Sequence, residues 1–354
     1  MPTTLPVLLD ASSADASLLG RLAESARGAG RDVAAVLRLA DEHDLAFPLP
    51  GRGRTRLLWE SLATVAAVDL TSARVLEPHL DARAILAEAG IAGSCAAGGD
   101  RTRTWGVFAA EAPGTRLEAR TGGDGIRLDG RKPWCSLAGS LSHALVTAWC
   151  GVQERGLYAV ELGAPGVDVE PVAWVARGLR DVPSGPVSFT DVPAVPVGEP
   201  GWYLERPGFA WGGIGVAAVW FGGLVGVARR VLQQGREREL DQVGQAQLGA
   251  VDAAVVAARQ GLAAAAAAVD SGRAEGEVGA VLALRVRQVV ARAAETVLTV
   301  SDHALGPGPL AFEEEHARRV ADLRLYVRQE HAERDQAALG RFLVAADRAG
   351  EVVW

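Results

Sequence analysis

The chain has 354 residues, enough for a large buried core and for two or three domains, and 49% of them are apolar, as in globular proteins. Its 43 acidic residues outnumber its 36 Lys and Arg, and the formal charge of -7 is spread along the sequence. This balance argues against a dedicated nucleic-acid surface. The three cysteines, Cys95, Cys135 and Cys150, form no CxxC pair, so we expect neither a disulfide framework nor a metal site. With no basic, apolar leader at the start, a cytoplasmic protein is expected.

The spacing of apolar residues changes twice along the chain. Residues 13–90 show apolar positions three and four apart, which predicts a helical N-terminal domain over 1–100. Residues 101–200 contain short runs of period two between Gly, Pro and Asp, which predicts an antiparallel β-barrel or sandwich. Helical spacing returns over 208–236, 240–271, 276–302 and 313–346, so a C-terminal helix bundle is expected over 201–354.

One segment is long and apolar enough to raise the question of a membrane. Pro207–Ala228 contains 22 consecutive uncharged residues. It is rich in glycine and has no basic cluster at its ends, so we interpret it as the buried helix of a bundle and expect no membrane association.

Three short boxes in the β-rich region occur in a recognisable order. They are Ala110-Glu111-Ala112-Pro113, then Gly114-Thr115-Arg116, then Gly130-Arg131-Lys132-Pro133-Trp134-Cys135-Ser136. Further along, Arg206-Pro207 opens the first long helix, and the turn His303-Ala304-Leu305-Gly306-Pro307-Gly308 follows two helices later. In this order and spacing, from about residue 60 to the C-terminus, the chain resembles the acyl-CoA dehydrogenase family.

The resemblance implies an α+β multidomain fold with an N-terminal helical domain, a middle antiparallel β-barrel and a C-terminal four-helix bundle. It also implies FAD as cofactor and a homodimer or homotetramer. Trp134 and Ser136 match the residues that lie against the flavin ring, whereas Ala110 and Thr115 stand at other flavin contacts. Further cofactor or subunit contacts fall on four more residues, Arg206, Arg230, Gly306 and Gly308.

The same resemblance implies a catalytic base. Glu330 falls at the place of the catalytic glutamate, which would remove the proton α to a thioester carbonyl during α,β-desaturation. Glu205, just before Arg206-Pro207, is the second candidate base. His331 follows Glu330, where the family has glycine, and could itself serve in acid–base chemistry.

Several family positions differ in this chain, and they leave other functions open. Ala110 lacks the hydroxyl of the family threonine, and His331-Ala332-Glu333-Arg334 replaces smaller groups after the base. One alternative is a flavin monooxygenase on the same fold, supplied by a flavin reductase, whereas a dehydrogenase would instead use an electron acceptor as partner. The other is a dehydrogenase-like binding or scaffold protein without cofactor. The expected partner in either enzyme is an acyl thioester or another small molecule.

Overall fold

The computed structural model describes residues 5–10, 14–91, 103–123 and 125–350 of the chain. Cys95 lies outside the described residues. The N-terminal helices are α1 (Ala16–Ala29), α2 (Val33–Glu42), α3 (Thr55–Val68) and α4 (Leu70–Glu88). Aspartates begin two of them, since Asp32 accepts the Ala35 N–H and Asp69 accepts the Ser72 N–H. The predicted N-terminal helices are therefore present.

The middle region is a closed barrel. Its strands are β1 (Trp105–Phe108), β2 (Leu117–Gly122), β3 (Gly125–Ser136), β4 (His143–Trp149), β5 (Arg155–Glu161), β6 (Val167–Val169) and β7 (Ser184–Pro196). The order β4-β2-β3-β7-β5 closes because β5 also pairs with β4, while β1 and β6 add to β4 and β7. The predicted barrel is confirmed, although β1 and β2 each pair with β4 in parallel, so it is not antiparallel throughout.

One glycine in β3 shows how tightly the barrel is closed. Gly130 has φ +121°, and a Cβ there would lie 2.2 Å from the Arg116 carbonyl oxygen. Only glycine fits this contact with β2. The pairing of β3 with β7 also shifts register between Lys132 and Cys135, which forms the irregularity on which Trp134 lies.

The C-terminal region contains the long helices of the predicted bundle. They are α6 (Pro207–Glu237), α7 (Gln242–Asp270) and α8 (Gly276–Leu305), preceded by the short α5 (Trp202–Glu205). The chain continues with α9 (Pro307–Phe312), α10 (Glu314–Tyr326) and α11 (Glu333–Arg348). The single helix predicted over 313–346 is wrong: it breaks at a 3₁₀ turn, Val327–Gln329, and Ala332 with φ +48° precedes α11. Glu330 therefore lies between helices.

Two of these helices, α6 and α7, are long and apolar enough to cross a membrane by length and composition alone. In α6, 72% of the apolar window is buried inside the protein, as expected for the core helix of a bundle. In α7 only 28% of the window is buried, and much of its alanine-rich surface is exposed.

The N-terminal helices and the bundle share one hydrophobic core. Trp59 of α3, Leu76 of α4 and Trp220 of α6 are buried in the same cluster, whereas Phe108 and Phe189 belong to a separate core inside the barrel. A smaller cluster joins α4 to the outside of the barrel through Ile85 and Trp105. Helix α4 therefore contacts both the bundle and the barrel.

Candidate functional site

Trp134 lies at an exposed corner of the barrel. It has φ +58°, a conformation that a bulky residue rarely adopts, and 58% of its surface is exposed although Lys132 and Cys135 beside it are buried. An exposed aromatic ring held on a strained backbone is available to stack on a planar ligand.

Ser136 joins this corner to helix α4. Its hydroxyl lies 2.8 Å from the Ser184 hydroxyl and accepts a hydrogen bond of 3.2 Å from Arg74 Nη2. The Arg74 Nη1 atom donates to Glu77 Oε2 at 3.3 Å. The chain of contacts Ser136–Arg74–Glu77 therefore runs from the barrel into the helical layer.

Glu77 lines an apolar cavity of about 350 Å³. The cavity lies between the loop at 47–50 and helices α3, α4 and α6, and its apolar walls include Leu58, Trp59, Leu62, Leu80 and Trp211. The Trp211 ring is fixed because its Nε1 donates to the Ala274 carbonyl at 2.7 Å. This volume falls at the small end of the range of roughly 300–1,000 Å³ for ligand pockets.

Burial raises the pKa of Glu77 to about 7, because the charged carboxylate loses hydration. Arg74 and the Tyr326 hydroxyl, which donates to Oε2 at 3.4 Å, oppose this rise, whereas Asp81 adds to it. A carboxyl group with a pKa near neutrality can exchange a proton at physiological pH.

The proposed flavin contacts before Trp134 are exposed or bonded locally. Ala110 follows β1 and is exposed. The Thr115 hydroxyl donates to the Ala112 carbonyl at 2.8 Å inside its own turn. In the described residues, no hydrogen bond or ion pair joins either residue to Trp134 or Ser136.

Lys132 is the buried charge that holds this part of the barrel together. Its side chain is 1% exposed, and its Nζ donates to Glu111 at 2.7 Å and to Thr147 at 2.8 Å. Burial lowers the pKa of Lys132, and the Glu111 carboxylate opposes that shift. This bridge fixes the segment around Glu111 to β3, two residues from Trp134.

Arg206 is buried at the start of α6. Its Nη1 donates to Glu88 Oε2 at 2.7 Å, and Glu88 Oε1 accepts the Gly208 N–H at 3.1 Å, so Glu88 caps the helix. Arg206 thereby ties α6 to α4. Glu205 is exposed at the end of α5, one residue before this bridge.

Arg230, Gly306 and Gly308 lie toward one end of the bundle. Arg230 forms a bidentate pair with Glu313, at 2.8 Å for both contacts, and its Nη1 is buried without a hydrogen-bond partner in the described residues. At both glycines a Cβ would meet no atom within 4 Å, so the backbone there is open. No hydrogen bond or ion pair between described residues joins Arg230 to Trp134 or Ser136.

Glu330 and His331 are adjacent but have different surroundings. Glu330 Oε2 accepts the Ala332 N–H at 2.8 Å, whereas Oε1 is buried and, in the part of the chain that the structure describes, has no hydrogen-bond partner. Arg287 approaches this turn by donating to the Gln329 carbonyl at 3.0 Å. The His331 side chain is 66% exposed and lies 3.4 Å from Asp335.

These residues are compatible with a bound flavin. The open Trp134 ring suits the face of an isoalloxazine, the nearby Ser136 hydroxyl suits its polar edge, and the partnerless Nη1 of Arg230 suits a phosphate oxygen. Ala110 and Thr115 contribute less, because one has no polar side chain and the other bonds to its own turn. In the described residues, no group of three or more His, Cys, Asp or Glu could hold a metal ion.

Solved structures of flavoproteins share this architecture. The chain is similar to TdsC of Paenibacillus sp. A11-2, solved with FMN and indole, with 17% identity, a TM-score of 0.78 and coverage of 93% of this chain and 96% of that one. A nitrososynthase from Micromonospora carbonacea var. africana is 19% identical, with a TM-score of 0.70 over 88% of this chain and 89% of its own.

A steroid ACAD, that is, an acyl-CoA dehydrogenase, is also similar. The Tcur3481–Tcur3483 protein is 22% identical, with a TM-score of 0.70 over 93% of this chain and 98% of its own. No protein-family model matches the chain, and no curated protein matches it in sequence. The fold is therefore that of the acyl-CoA dehydrogenases, as the sequence resemblance implied.

Sequence reasoning missed the cavity and its carboxylate. Glu77 lies in the helical run ARVLEPHLDARAIL, where a charged residue looks like part of a solvated helix face. A usable signal was the pair Glu77 and Asp81, four residues apart and interleaved with apolar residues, which places two carboxylates on one face of a helix.

Proposed function

We propose that the protein is a flavin-dependent oxidoreductase that acts on a small, largely apolar substrate in the Glu77 cavity. The observation that carries the proposal is the exposed Trp134 ring, whose neighbour Ser136 is joined through Arg74 to the cavity carboxylate. A bound flavin would supply the redox chemistry, by accepting a hydride or, once reduced, by activating oxygen.

Each predicted cofactor contact has one proposed role. Trp134 would stack on the flavin ring and Ser136 would orient its polar edge, whereas Arg230 and the open turn at Gly306 and Gly308 would hold a flavin phosphate. The apolar walls exclude water from the substrate. FAD is the cofactor that the sequence resemblance supports, whereas the FMN bound to TdsC supports the shorter flavin.

The first candidate reaction is α,β-desaturation of an acyl thioester with Glu330 as base. Glu330 Oε1 supports it, because this oxygen is buried without a hydrogen-bond partner among the described residues, and an unbonded carboxylate oxygen can accept a proton. In this reaction Glu330→Gln abolishes enoyl formation while flavin binding persists. Full activity in Glu330→Gln would remove Glu330 from the mechanism and leave Glu205 and His331 as the candidate bases.

The second candidate is a flavin monooxygenase. It is favoured by a cavity whose described lining includes Glu77 but not Glu330. It is also favoured by the similarity to TdsC, described as a dibenzothiophene monooxygenase. Oxygen consumption in the presence of a flavin reductase, with an oxygenated product and no enoyl product, would distinguish it from desaturation.

Flavin binding itself is tested by thermal unfolding with FAD, FMN or neither. A ligand that binds the folded state at about 100 times its Kd stabilises it by about 2.7 kcal/mol, which raises Tm measurably. If neither flavin raises Tm or acquires a protein-bound absorption spectrum, the scaffold alternative replaces the enzyme proposal. We also propose a homodimer or homotetramer, supported by the exposed apolar surface of α7 and tested by light scattering. A cytoplasmic location is a separate proposal, which rests on the sequence alone.

A further inference from the structure

The Glu77 cavity contains a second carboxylate. Asp81 lies one helical turn after Glu77 in α4, and both residues line the cavity. A Cβ at Gly212 of α6 would lie 2.9 Å from Asp81 Oδ1, so the glycine leaves room beside this carboxylate. The Asp81 side chain remains 21% exposed, whereas that of Glu77 is 9% exposed.

Neither carboxylate is fully bonded by the protein. Both hydrogen bonds that the structure gives Glu77 go to Oε2, and both are long, at 3.3 Å from Arg74 and 3.4 Å from Tyr326. Oε1 therefore remains available to a ligand in the cavity. The closest cation to Asp81 is Arg206, whose Nη2 lies 4.0 Å from Oδ1, while its Nη1 is bonded to Glu88.

The charges on the described lining leave an excess of negative groups. The third charged lining residue, Arg83, is paired at 3.3 Å with Asp41. Around Glu77 the other charged and titratable groups of the described residues include Arg74 on its own helix, Tyr326 at the end of α10, Arg287 of α8 and Tyr203 of α5. Two incompletely bonded carboxylates in an apolar cavity are stabilised by a cation with N–H donors.

We propose that this cavity binds a small apolar molecule bearing a protonated amine, with the ammonium on Glu77 and Asp81 and the apolar part against Trp59 and Trp211. The proposal names the substrate class of the proposed oxidoreductase and, for that role, rests on it. Arg74 bonds both Glu77 and Ser136, so the Glu77 end of the cavity is the end connected to the Ser136 corner of the barrel.

The test compares two probes of nearly equal shape, 2-phenylethylamine and 2-phenylethanol, on the full chain without flavin. Binding is followed by calorimetry, with the intrinsic tryptophan fluorescence of the chain as a second signal. We expect the amine to bind at least about tenfold more tightly, because a charge-assisted hydrogen bond contributes about 1.5–3 kcal/mol. Equal affinities, or no binding of either probe, would overturn the proposal.

Variants show which carboxylates cause the preference for the amine over the alcohol. Glu77→Gln and Asp81→Asn should each remove most of the preference for the amine, whereas Glu42→Gln, which deletes a surface carboxylate on α2, should leave it unchanged. A preference that survives in the Glu77→Gln, Asp81→Asn double variant would overturn the assignment. If a variant fails to fold, the wild-type pH profile decides: amine affinity should rise as pH increases through about 7, where Glu77 loses its proton, and a flat profile counts against the proposal.

Adding flavin separates this inference from the proposed function. Amine binding without any flavin binding would leave the cavity assignment intact and remove the oxidoreductase. Flavin binding without a preference for the amine would leave the proposed oxidoreductase intact and overturn the cavity assignment. Both together, with oxidation of the amine probe but not of the alcohol, would support both.

Discussion

Lys132 in the barrel and Glu77 in the helical layer are both buried charges, but their surroundings differ. Lys132 makes two short contacts, at 2.7 and 2.8 Å, whereas Glu77 makes two long ones, at 3.3 and 3.4 Å, and lines a cavity. A buried charge with short hydrogen bonds fixes local structure, whereas a weakly bonded one beside open space retains binding capacity. The quality of bonding, rather than burial alone, separates the structural charge from the candidate functional one.

The largest expected effect comes from unpairing Lys132. Glu111→Ala removes its carboxylate partner and leaves a buried cation, which should lower the free energy of unfolding by about 3 kcal/mol. Chemical denaturation measures this loss. Adding Lys132→Met should recover much of it, because both charges are then absent. A double variant no more stable than Glu111→Ala would show that Lys132 and Glu111 do not act as a pair.

Substitution of Glu77 should raise the free energy of unfolding at high pH rather than lower it. Its folded pKa of about 7 lies above its ordinary value of 4.5, so its contribution to stability is present below about pH 4.5 and is lost as pH rises through 7. Glu77→Gln should therefore be more stable than the wild type at pH 8, by up to about 3 kcal/mol, and nearly equal at pH 4.5.

Urea denaturation at the two pH values measures this difference, and Glu42→Gln serves as the surface control with no pH-dependent gain. A Glu77→Gln variant less stable than the wild type at pH 8 would mean that the Arg74 and Tyr326 contacts outweigh the cost of burial.

Trp134 lies beside Ser136, at the barrel end of the Ser136–Arg74–Glu77 chain of contacts, and its substitution tests flavin binding there. Because its ring is exposed, Trp134→Ala should change stability little and weaken flavin binding about tenfold, the effect of losing one stacking contact. Titration of flavin fluorescence measures the Kd, and Trp134→Phe should retain most of the affinity. Unchanged binding in Trp134→Ala would place the flavin elsewhere.

The smallest effect is expected at Glu170, a partly exposed carboxylate that is well bonded. Hydrogen bonds from Arg131 and Ser188 lower the pKa of Glu170 to about 2. Its stabilising contribution is therefore present above its ordinary pKa of 4.5 and is lost as pH falls through 2, opposite in sign to that of Glu77. Thermal unfolding between pH 7 and 3 measures the Tm of the wild type and of Glu170→Gln. The two Tm values should approach each other as the pH falls. Curves that stay parallel would exclude this pair as a source of acid sensitivity.

Much of the fold follows from local patterns that the sequence displays directly. The change from helical to alternating spacing near residue 101 and back near 200 matches the positions of β1 at Trp105 and of α6 at Pro207. The break after Tyr326 was missed because most residues of RQEHAERD are good helix formers, whereas the chain leaves the helix through a 3₁₀ turn, an extended Glu330 and the positive φ of Ala332. Helix propensity alone does not predict that interruption.

The candidate site residues also divide into those that a sequence motif indicates and those whose contacts only the folded structure shows. A contiguous motif, KPWCS, identified Trp134 and Ser136, because the residues that shape the corner are neighbours in sequence. Their roles, and those proposed for Glu330, Glu205 and His331, stay predictions. Arg206 carries a visible motif with Pro207, yet its bond to Glu88 joins residues 118 positions apart and is not visible in the sequence.

The sequence by itself determined the order of helical, barrel and bundle regions, because spacing, caps and glycines act locally along the chain. Tertiary structure alone decided which charges became functional candidates. It brought Arg74 of α4 to Ser136, 62 positions away, and Tyr326 to Glu77, 249 positions away. Desolvation and the closing of a cavity depend on such distant packing, so the pKa of Glu77 and the chemistry of its cavity emerge only when the chain is folded.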